Sequence, residues 1–177
     1  EKFILSVSTL EPRKNLITLL YAYQILPDEI KKNFRLKIAG NVGWNNDEFE
    51  NVLKFINCQK QIDLLGRISD EELVKLYNKA TLFVYPSLFE GFGLPIVEAM
   101  SCGAPVITSN NSSLPEAGGE AAIYLENPTD EKELSDKITQ ILNNQDQQSK
   151  LSRASIKQAE KFSWDKTVSQ TLELFFR

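Results

Sequence analysis

The chain has 177 residues, of which 42% are hydrophobic and 25% are charged, with a net charge of −4, no histidine and two cysteines. This composition predicts one soluble domain with one ordinary core over residues 1–177, and it offers no basic field for nucleic acid. The absence of histidine excludes Ser-His-Asp and Cys-His catalysis and His-based metal sites, and no apolar run approaches the ~18 residues that a membrane-spanning helix needs.

The first predicted unit is a buried strand, a short loop and a helix. Residues 3–8 form an almost continuous apolar run, which is typical of a strand buried on both faces. Apolar side chains then repeat at helical spacing until Pro27, at Leu16, Leu19, Leu20, Tyr23 and Leu26. The loop between strand and helix carries Arg13 and Lys14, which either bind a diphosphate together with backbone amides or are ordinary surface charges.

The second predicted unit is a strand over residues 36–40, followed by a polar loop over residues 41–46. Gly40 closes the strand, and its missing side chain lets the loop pass near a nucleotide. In the loop, Trp44 either stacks on a base or covers loop backbone. A helix follows, built on Phe49, Val52, Leu53 and Ile56.

The third predicted unit is a strand over residues 62–66 and a helix with a well-defined start. Ser69 and Glu72 form a Ser-x-x-Glu capping box ahead of the apolar positions of that helix. Asp70, in the first turn, either accepts the N1 and N2 protons of a guanine or complements the helix dipole. The sequence leaves both alternatives open.

The most informative segment of the chain reads YPSLFEGFGLPIVEAMSCGAP. A buried strand over residues 80–86 ends in this segment, and a helix over residues 94–102 begins in it. Two glycines in the loop between them, Gly91 and Gly93, let the backbone approach a ligand closely. They also leave free amides at the helix start, which attracts phosphate.

Two glutamates of this segment, Glu90 and Glu98, lie on either side of the glycines. Glu90 is predicted on the loop past the strand end and Glu98 one turn into the helix, so both face one edge of the sheet. Alternatively, Glu98 complements the helix dipole, which contributes about 0.3–1 kcal/mol, and Glu90 is a solvated loop residue. The two residues alone do not decide between a ligand site and these structural roles.

The remainder of the chain predicts two more strands and three helices. The strands cover residues 105–109 and 122–124, with a turn-rich loop between them. The first two helices follow apolar periodicity at Leu134, Ile138, Ile141 and Leu142 and then at Leu151, Ala154, Ser155, Gln158 and Phe162. Ser163 caps the third helix, which is expected to pack through Trp164, Val168, Leu172 and Phe175.

Six short strands alternating with helices predict an α/β fold, a Rossmann-like doubly wound parallel sheet whose ligand crevice lies beyond the carboxyl ends of the strands. Every candidate site residue lies at that edge. The sequence has no G-x-G-x-x-G motif, which disfavours a dinucleotide oxidoreductase. It has no G-x-x-x-x-G-K-[ST] motif either, which excludes a phosphate-loop NTPase on motif grounds.

The central segment closely resembles the donor-site signature of the large retaining glycosyltransferase family with the GT-B fold, the glycosyl transferases group 1. This family includes mannosyltransferases of lipopolysaccharide and glycolipid synthesis. The likeness lies in Glu90-x7-Glu98 within EGFGLPIVEAM and in the GAPVI that follows. It extends over essentially all 177 residues, as the carboxyl-terminal, nucleotide-sugar-binding half of such an enzyme, and implies that the amino-terminal acceptor domain is absent from this chain.

The resemblance assigns roles to the charged candidates. It implies that Glu98 holds the ribose hydroxyls of the donor, that Glu90 contacts the transferred sugar, and that Lys14 binds the diphosphate. Many family members have Gly-Arg where this chain has Ser8-Thr9. The diphosphate role of that family arginine would therefore pass to Arg13.

The resemblance also assigns roles to backbone and base-binding positions. Amides of the glycine loop complete the phosphate cradle, at Phe92, Gly93 and Leu94. Ile68 and its neighbours after the third strand cradle the nucleobase, with Gly40 close to the nucleotide. Asp70 would accept the N1 and N2 protons of a guanine if it binds the base and does not only complement the helix dipole.

The implied function is that of a hexosyltransferase domain, which binds a nucleoside-diphosphate sugar for retaining transfer to an acceptor hydroxyl. The EPRKN form of the first loop favours GDP-mannose, and neither a metal nor another cofactor is implied. A glycan or lipid-linked acceptor would bind through the missing domain, so the fragment is expected to be inactive. The alternative is a noncatalytic nucleotide-binding or regulatory module of the same fold.

The expected compartment and chain start follow from simple features. Two cysteines without a disulfide framework favour a reducing, cytoplasmic location, and membrane association of the longer protein stays open. The chain begins without Met and enters a strand almost at once. We therefore expect that residue 1 is not the biological start.

Overall fold

Six strands and nine α-helices make up the described part of the chain, which comprises residues 1–44 and 47–176 of a computed structural model. The strands are β1 (Lys2–Val7), β2 (Phe34–Ala39), β3 (Ile62–Gly66), β4 (Leu82–Tyr85), β5 (Val106–Ser109) and β6 (Ala122–Leu125). The helices are α1 (Leu16–Gln24), α2 (Asp28–Asn33), α3 (Asp47–Phe55), α4 (Asp70–Lys79), α5 (Leu94–Ser101), α6 (Leu114–Gly118), α7 (Glu131–Leu142), α8 (Gln145–Ala159) and α9 (Trp164–Phe175). None of these described helices is both long and apolar enough to cross a membrane.

All six strands are parallel and form one sheet in the order β3-β2-β1-β4-β5-β6. β1 pairs with β2 on one side, from Lys2 opposite Phe34 to Val7 opposite Ala39, and with β4 on the other side. The direction in which the chain adds strands therefore reverses between β1 and β4. In parallel α/β sheets the ligand crevice opens at such a switch point, beyond the carboxyl ends of the strands.

Helices cover both faces of the sheet, and strand residues alternate between two cores. On β1, Ile4 belongs to the core that includes residues of α1 and α7, whereas Phe3 and Leu5 belong to the core that includes residues of α4 and α5. All three side chains are at most 3% exposed. This burial on both faces explains why the strands are nearly continuous apolar runs in the sequence.

The predicted strands lie within two residues of the observed ones, and the predicted helix caps are confirmed. Ser69 Oγ accepts a hydrogen bond from the Glu72 amide at 3.3 Å, and the Ser69 amide donates to Glu72 Oε2 at 3.1 Å, which completes the capping box. Ser163 Oγ likewise accepts from the Lys166 amide at the start of α9. Caps of this kind each stabilise a helix by about 1 kcal/mol.

Three features of the helices differ from the sequence prediction. The six residues of α2 and the five of α6, which lie in the predicted turn-rich loop, were not predicted as helices, because such short segments show no periodic pattern. The predicted packing of α9 is wrong, since its apolar side chains are at least half exposed, at Trp164 (74%), Val168 (54%), Leu172 (50%) and Phe175 (80%). Other helices already cover both faces of the sheet, so the periodicity predicted an apolar stripe without predicting what covers it.

The loop after β2 is described only in part. Residues 45 and 46, the last two of the predicted polar loop, lie outside the described residues. Trp44 is 62% exposed, so its ring covers little of the loop backbone. Stacking of Trp44 on a base stays a prediction.

Candidate functional site

Two loops meet at the switch point of the sheet, one after β1 and one after β4. The Leu88 amide donates to the Arg13 carbonyl at 2.8 Å, and Ser87 Oγ lies 2.9 Å from the same oxygen. Asn15 has a left-handed φ of 56°, which Asn adopts more readily than most residues, and its Nδ2 donates to the Pro86 carbonyl at 3.0 Å. These bonds hold the predicted diphosphate-binding loop against the loop that carries the predicted sugar-binding residue.

Glu90 lies at the centre of the site and is only 9% exposed. Its Oε1 accepts hydrogen bonds from Lys14 Nζ at 2.5 Å, Ser87 Oγ at 2.7 Å and the Tyr85 hydroxyl at 2.8 Å. Its Oε2 accepts from Arg13 Nη1 at 2.8 Å. Burial works against ionisation of Glu90, but the bonds from Lys14, Ser87 and Tyr85 outweigh it and hold the pKa below its ordinary value. Glu90 is therefore an ionised carboxylate at neutral pH.

The backbone of Glu90 is fixed from a third loop, the one after β5. The Glu90 amide donates to Ser112 Oγ at 3.2 Å, and its carbonyl accepts from Ser113 Oγ at 2.9 Å. Three loops of the same sheet edge thus position one carboxylate. A group held in this way loses little further freedom when a ligand binds.

Four charged side chains at the site balance one another. Besides its contact with Glu90, Arg13 lies 2.7 Å from Glu11, measured from Nη2 to Oε1, so two carboxylates face two cations. Lys14 is 8% exposed and gives one N–H to Glu90 and one to Tyr85, and the hydrogen bonds among the described residues do not use the third N–H of its ammonium group. The Arg13 side chain is 44% exposed, so its guanidinium has access to a ligand in the crevice.

The glycine loop brings the start of α5 to the same place. Gly93 is the N-cap residue with φ of 100°, a left-handed conformation that favours glycine, and a Cβ there would be in tight contact with Leu114 Cδ2 at 3.0 Å. The Phe92 ring packs edge-on against Phe162 at 5.5 Å, which anchors the loop. No described side chain caps α5, and the same is true of α1, α2 and α6, whereas α4, α7, α8 and α9 each have a side-chain cap. Pro95 has no amide hydrogen and the Ile96 amide donates to the Gly93 carbonyl at 2.9 Å, so the amides that can donate to an anion here are those of Phe92, Gly93 and Leu94.

Glu98 lies one turn into α5. Its side chain is exposed, and its Oε2 accepts a hydrogen bond from the Tyr77 hydroxyl at 3.0 Å. Tyr77, on α4, is 2% exposed and packs edge-on against Phe83 of β4, whose ring stacks on that of Tyr85. The hydroxyl groups that hold Glu98 and Glu90 therefore belong to one row of three aromatic rings.

The predicted base-binding residues lie farther along the same edge, after β2 and β3. Gly40 has φ of 145°, and a Cβ there would lie 1.9 Å from the Ser8 carbonyl oxygen, so only glycine lets these two loops approach. Ile68 is half-buried, and Asp70 is exposed at the start of α4. Across the described ranges, no hydrogen bond or ion pair joins Ile68 or Asp70 to the side chains around Glu90. Their contribution to a base site stays a prediction.

Sequence reasoning missed six side chains at the site, which are Glu11, Tyr77, Tyr85, Ser87, Ser112 and Ser113. Tyr85 and Ser87 flank Pro86 within the segment that carries Glu90. The end of a strand just before a functional loop is the signal that could have indicated them. Tyr77 gives no local signal, because its partner Glu98 is 21 positions away on another helix.

The arrangement suits a ligand that carries an anionic group between two groups with hydroxyls. Glu90 is bonded to both cations, and Glu98 lies one turn into the helix whose start follows the glycine loop. Within residues 1–44 and 47–176, no group of three or more His, Cys, Asp or Glu side chains is placed to hold a metal ion. The expected independence from metal stays a prediction.

Comparison with known proteins adds a family context to this geometry. A family model described as glycosyl transferases group 1 matches residues 1–161. The O-antigen chain mannosyltransferase B of Escherichia coli is 40% identical over 173 residues, which are 98% of this chain and 45% of that protein. The serotype-specific mannosyltransferase WbdA of Escherichia coli is 37% identical over 182 residues, which cover 100% of this chain and 22% of that protein.

A solved structure agrees with the fold. Sucrose-phosphate synthase (tll1590) from Thermosynechococcus elongatus matches with a TM-score of 0.87 and 27% identity, over 99% of this chain and 45% of that one. The Rossmann-like fold predicted from the sequence is thereby confirmed. This chain spans less than half the length of each of these three proteins.

Proposed function

The chain belongs to the glycosyl transferases group 1, and on that premise we propose that it is the donor-binding half of a retaining mannosyltransferase that uses GDP-mannose. The observation that carries the proposal is the cluster around Glu90. There, one buried carboxylate, two cations and a helix start without a side-chain cap meet at the switch point of the sheet. The names of the two Escherichia coli relatives support mannose as the transferred sugar.

Each group of the site has a place on the donor. The diphosphate lies against the Arg13 guanidinium, the remaining N–H of Lys14 and the amides of Phe92, Gly93 and Leu94. Glu98 accepts hydrogen bonds from the ribose hydroxyls. Glu90 Oε2, which within the described ranges accepts only from Arg13, faces the sugar. The base extends toward the loops after β2 and β3, where Gly40, Ile68 and Asp70 lie.

The chemistry follows from where charge develops. When the bond between sugar and diphosphate breaks, negative charge grows on the leaving oxygen, and fixed cations and amides stabilise that transition state more than the ground state. The sugar flattens and gains positive charge, which the ionised Glu90 stabilises. An acceptor hydroxyl attacks from the face that the diphosphate leaves and passes its proton to the departing diphosphate oxygen, so configuration is retained without a protein nucleophile. The acceptor, a glycan or a lipid-linked glycan, binds through the remainder of the longer protein.

Calorimetry with GDP, UDP and ADP on this chain, with and without magnesium, tests the proposal. We expect one base to bind preferentially, with little effect of magnesium. Binding should be measurable because each hydrogen bond to a charged group contributes about 1.5–3 kcal/mol. If no nucleotide at millimolar concentration shifts the melting temperature, the donor-site assignment fails. Mannose transfer by the longer protein then separates the proposal from a noncatalytic nucleotide-binding module, which would bind GDP without transfer.

Replacement of Glu98 tests the ribose assignment. We expect Glu98→Ala to weaken nucleoside-diphosphate binding by about 10- to 100-fold, which corresponds to about 1.4–2.8 kcal/mol, with the fold intact. Glu131→Ala, at an exposed glutamate in the first turn of α7, is the matched control and should leave affinity unchanged. If Glu98→Ala lowers the free energy of unfolding by a few tenths of a kcal/mol and leaves affinity unchanged, Glu98 is only a partner of the helix dipole.

A further inference from the structure

The hydrogen bond between Tyr77 and Glu98 joins a buried side chain to an exposed one. The Tyr77 ring is 2% exposed and is held edge-on by Phe83 at 5.5 Å between ring centroids, whereas the Glu98 side chain is exposed. An exposed glutamate on a helix ordinarily samples several rotamers. Here its Oε2 is fixed by a hydroxyl whose own position is set by the core.

The direction of this bond is defined. An ionised carboxylate only accepts hydrogen bonds, so the Tyr77 hydroxyl is the donor. Burial, and then the neighbouring Glu98 carboxylate, hold the pKa of Tyr77 well above its ordinary value. The hydroxyl therefore keeps its proton throughout the physiological pH range and remains a donor.

We propose that Tyr77 is a positioning residue, which fixes the Glu98 carboxylate so that Oε1 and the remaining lone pair of Oε2 face the two ribose hydroxyls of the donor. This inference rests on the proposed function. It adds that the selectivity for a ribose originates in the core, through a side chain that never touches the nucleotide. The Tyr85 hydroxyl likewise donates to Glu90, and the Phe83 ring packs between the rings of the two tyrosines.

Preorganisation predicts a specific pattern of affinities. A free Glu98 side chain would have to be immobilised when the ribose binds, and that cost appears as weaker binding of ribonucleotides. Tyr77→Phe keeps the ring and removes only the hydroxyl. We expect it to weaken binding of the preferred nucleoside diphosphate by about 3- to 10-fold, the equivalent of immobilising one side chain.

Two ligands that lack the ribose hydroxyls show whether Tyr77→Phe acts through the position of Glu98 or through a general loss of order in the site. The 2′,3′-dideoxy form of the same nucleotide and inorganic pyrophosphate both bind without using Glu98. Their affinities should be unchanged in Tyr77→Phe, as measured by calorimetry on the 177-residue chain. Tyr23→Phe removes another buried hydroxyl, which donates to the Phe34 carbonyl at 2.8 Å on the other face of the sheet, and should change no affinity.

A double variant and a charge-conserving variant complete the test. Tyr77→Phe combined with Glu98→Ala should bind no more weakly than Glu98→Ala alone, because the hydroxyl acts only through that carboxylate. Glu98→Asp keeps the charge but shortens the side chain by one methylene. It should lose at least threefold in ribonucleotide affinity, whether or not Tyr77→Phe folds.

The outcomes distinguish this inference from the proposed function. If Glu98→Ala weakens binding but Tyr77→Phe binds within twofold of the parent chain, or if Glu98→Asp binds like the parent, positioning by Tyr77 is wrong and the donor site stands. The same holds if Tyr77→Phe loses affinity equally for the dideoxy form, since the hydroxyl is then only structural. If the parent chain binds no nucleoside diphosphate, the proposed function and this inference both fail.

Discussion

Replacing Lys14 with Met removes the shortest contact that Glu90 makes and keeps the apolar stem of the side chain. Removing one partner of a buried ion pair typically costs about 3–5 kcal/mol, because it leaves a buried charge uncompensated. Glu90 in this variant still has Arg13 at 2.8 Å and the hydroxyls of Tyr85 and Ser87. We therefore expect the free energy of unfolding to fall by about 2–3 kcal/mol, below the usual range.

Urea unfolding at neutral pH measures this loss of stability. Two further variants show whether it comes from the buried ion pair. Lys137→Met breaks a more exposed ion pair with Glu133, at 3.1 Å on one face of α7, and should cost at most about 0.5 kcal/mol. Lys14→Met combined with Glu90→Gln removes both charges and leaves an oxygen for the two hydroxyls. Its stability should return to within about 1 kcal/mol of the parent chain.

The nucleotide affinity of these variants should not change in parallel with their free energy of unfolding. Both the single and the double variant lack the Lys14 cation, so both should bind the nucleoside diphosphate at least about tenfold more weakly than the parent. If Lys14→Met is no less stable than Lys137→Met, the buried ion pair does not contribute as we infer. If the double variant recovers both stability and affinity, Lys14 serves only to neutralise Glu90 and does not bind the diphosphate.

Two further predictions concern Glu90 and α9. Because the folded-state pKa of Glu90 lies below its ordinary value of 4.5, its contribution to stability is complete above about pH 5 and is lost as pH falls through the folded-state pKa. Urea unfolding of Glu90→Gln from about pH 6 to about pH 3 should thus show a smaller loss of stability than the parent chain, and an equal loss would contradict the assignment. Truncation after Phe162 removes α9, none of whose side chains is buried, and should change the free energy of unfolding by less than about 1 kcal/mol. A larger loss in thermal or urea unfolding would mean that α9 packs on the domain.

Much of this fold could be predicted, because a parallel sheet buried on both faces leaves nearly continuous apolar runs and its loops hold the polar residues. The meeting of Lys14 with Glu90 follows from the same rule, since both residues come just after strands that lie on either side of a switch point. The hydroxyls of Tyr85 and Ser87 could not be assigned to Glu90 in this way. Which of them reaches the carboxylate depends on how the loop turns after Pro86, and that turn is set by the bond from the Leu88 amide to Arg13 and by the bond between Asn15 and Pro86.

The limits of periodicity explain the remaining differences. The spacing of Trp164, Val168, Leu172 and Phe175 correctly predicts a helix with an apolar stripe. It carries no information on the neighbouring element, so packing was inferred where the structure shows exposure. The bond between Tyr77 and Glu98 joins two helices that are unrelated in sequence pattern, and only the packing of α4 against α5 reveals it.

The strand order also sets when the site comes into existence. β1, β2 and β3 are neighbours in the sheet and are synthesised in that order. The bond between Arg13 and Glu90 can form only later, because Glu90 lies 77 positions farther along the chain. Until β4 is made and added, one edge of β1 is unpaired and open to other strands in the cell. Contacts this distant in sequence form slowly, because a long loop has to close first. A nucleotide or an inhibitor that needs the completed site can therefore stabilise only chains in which β4 has already been added, and it gives no protection to the nascent ones.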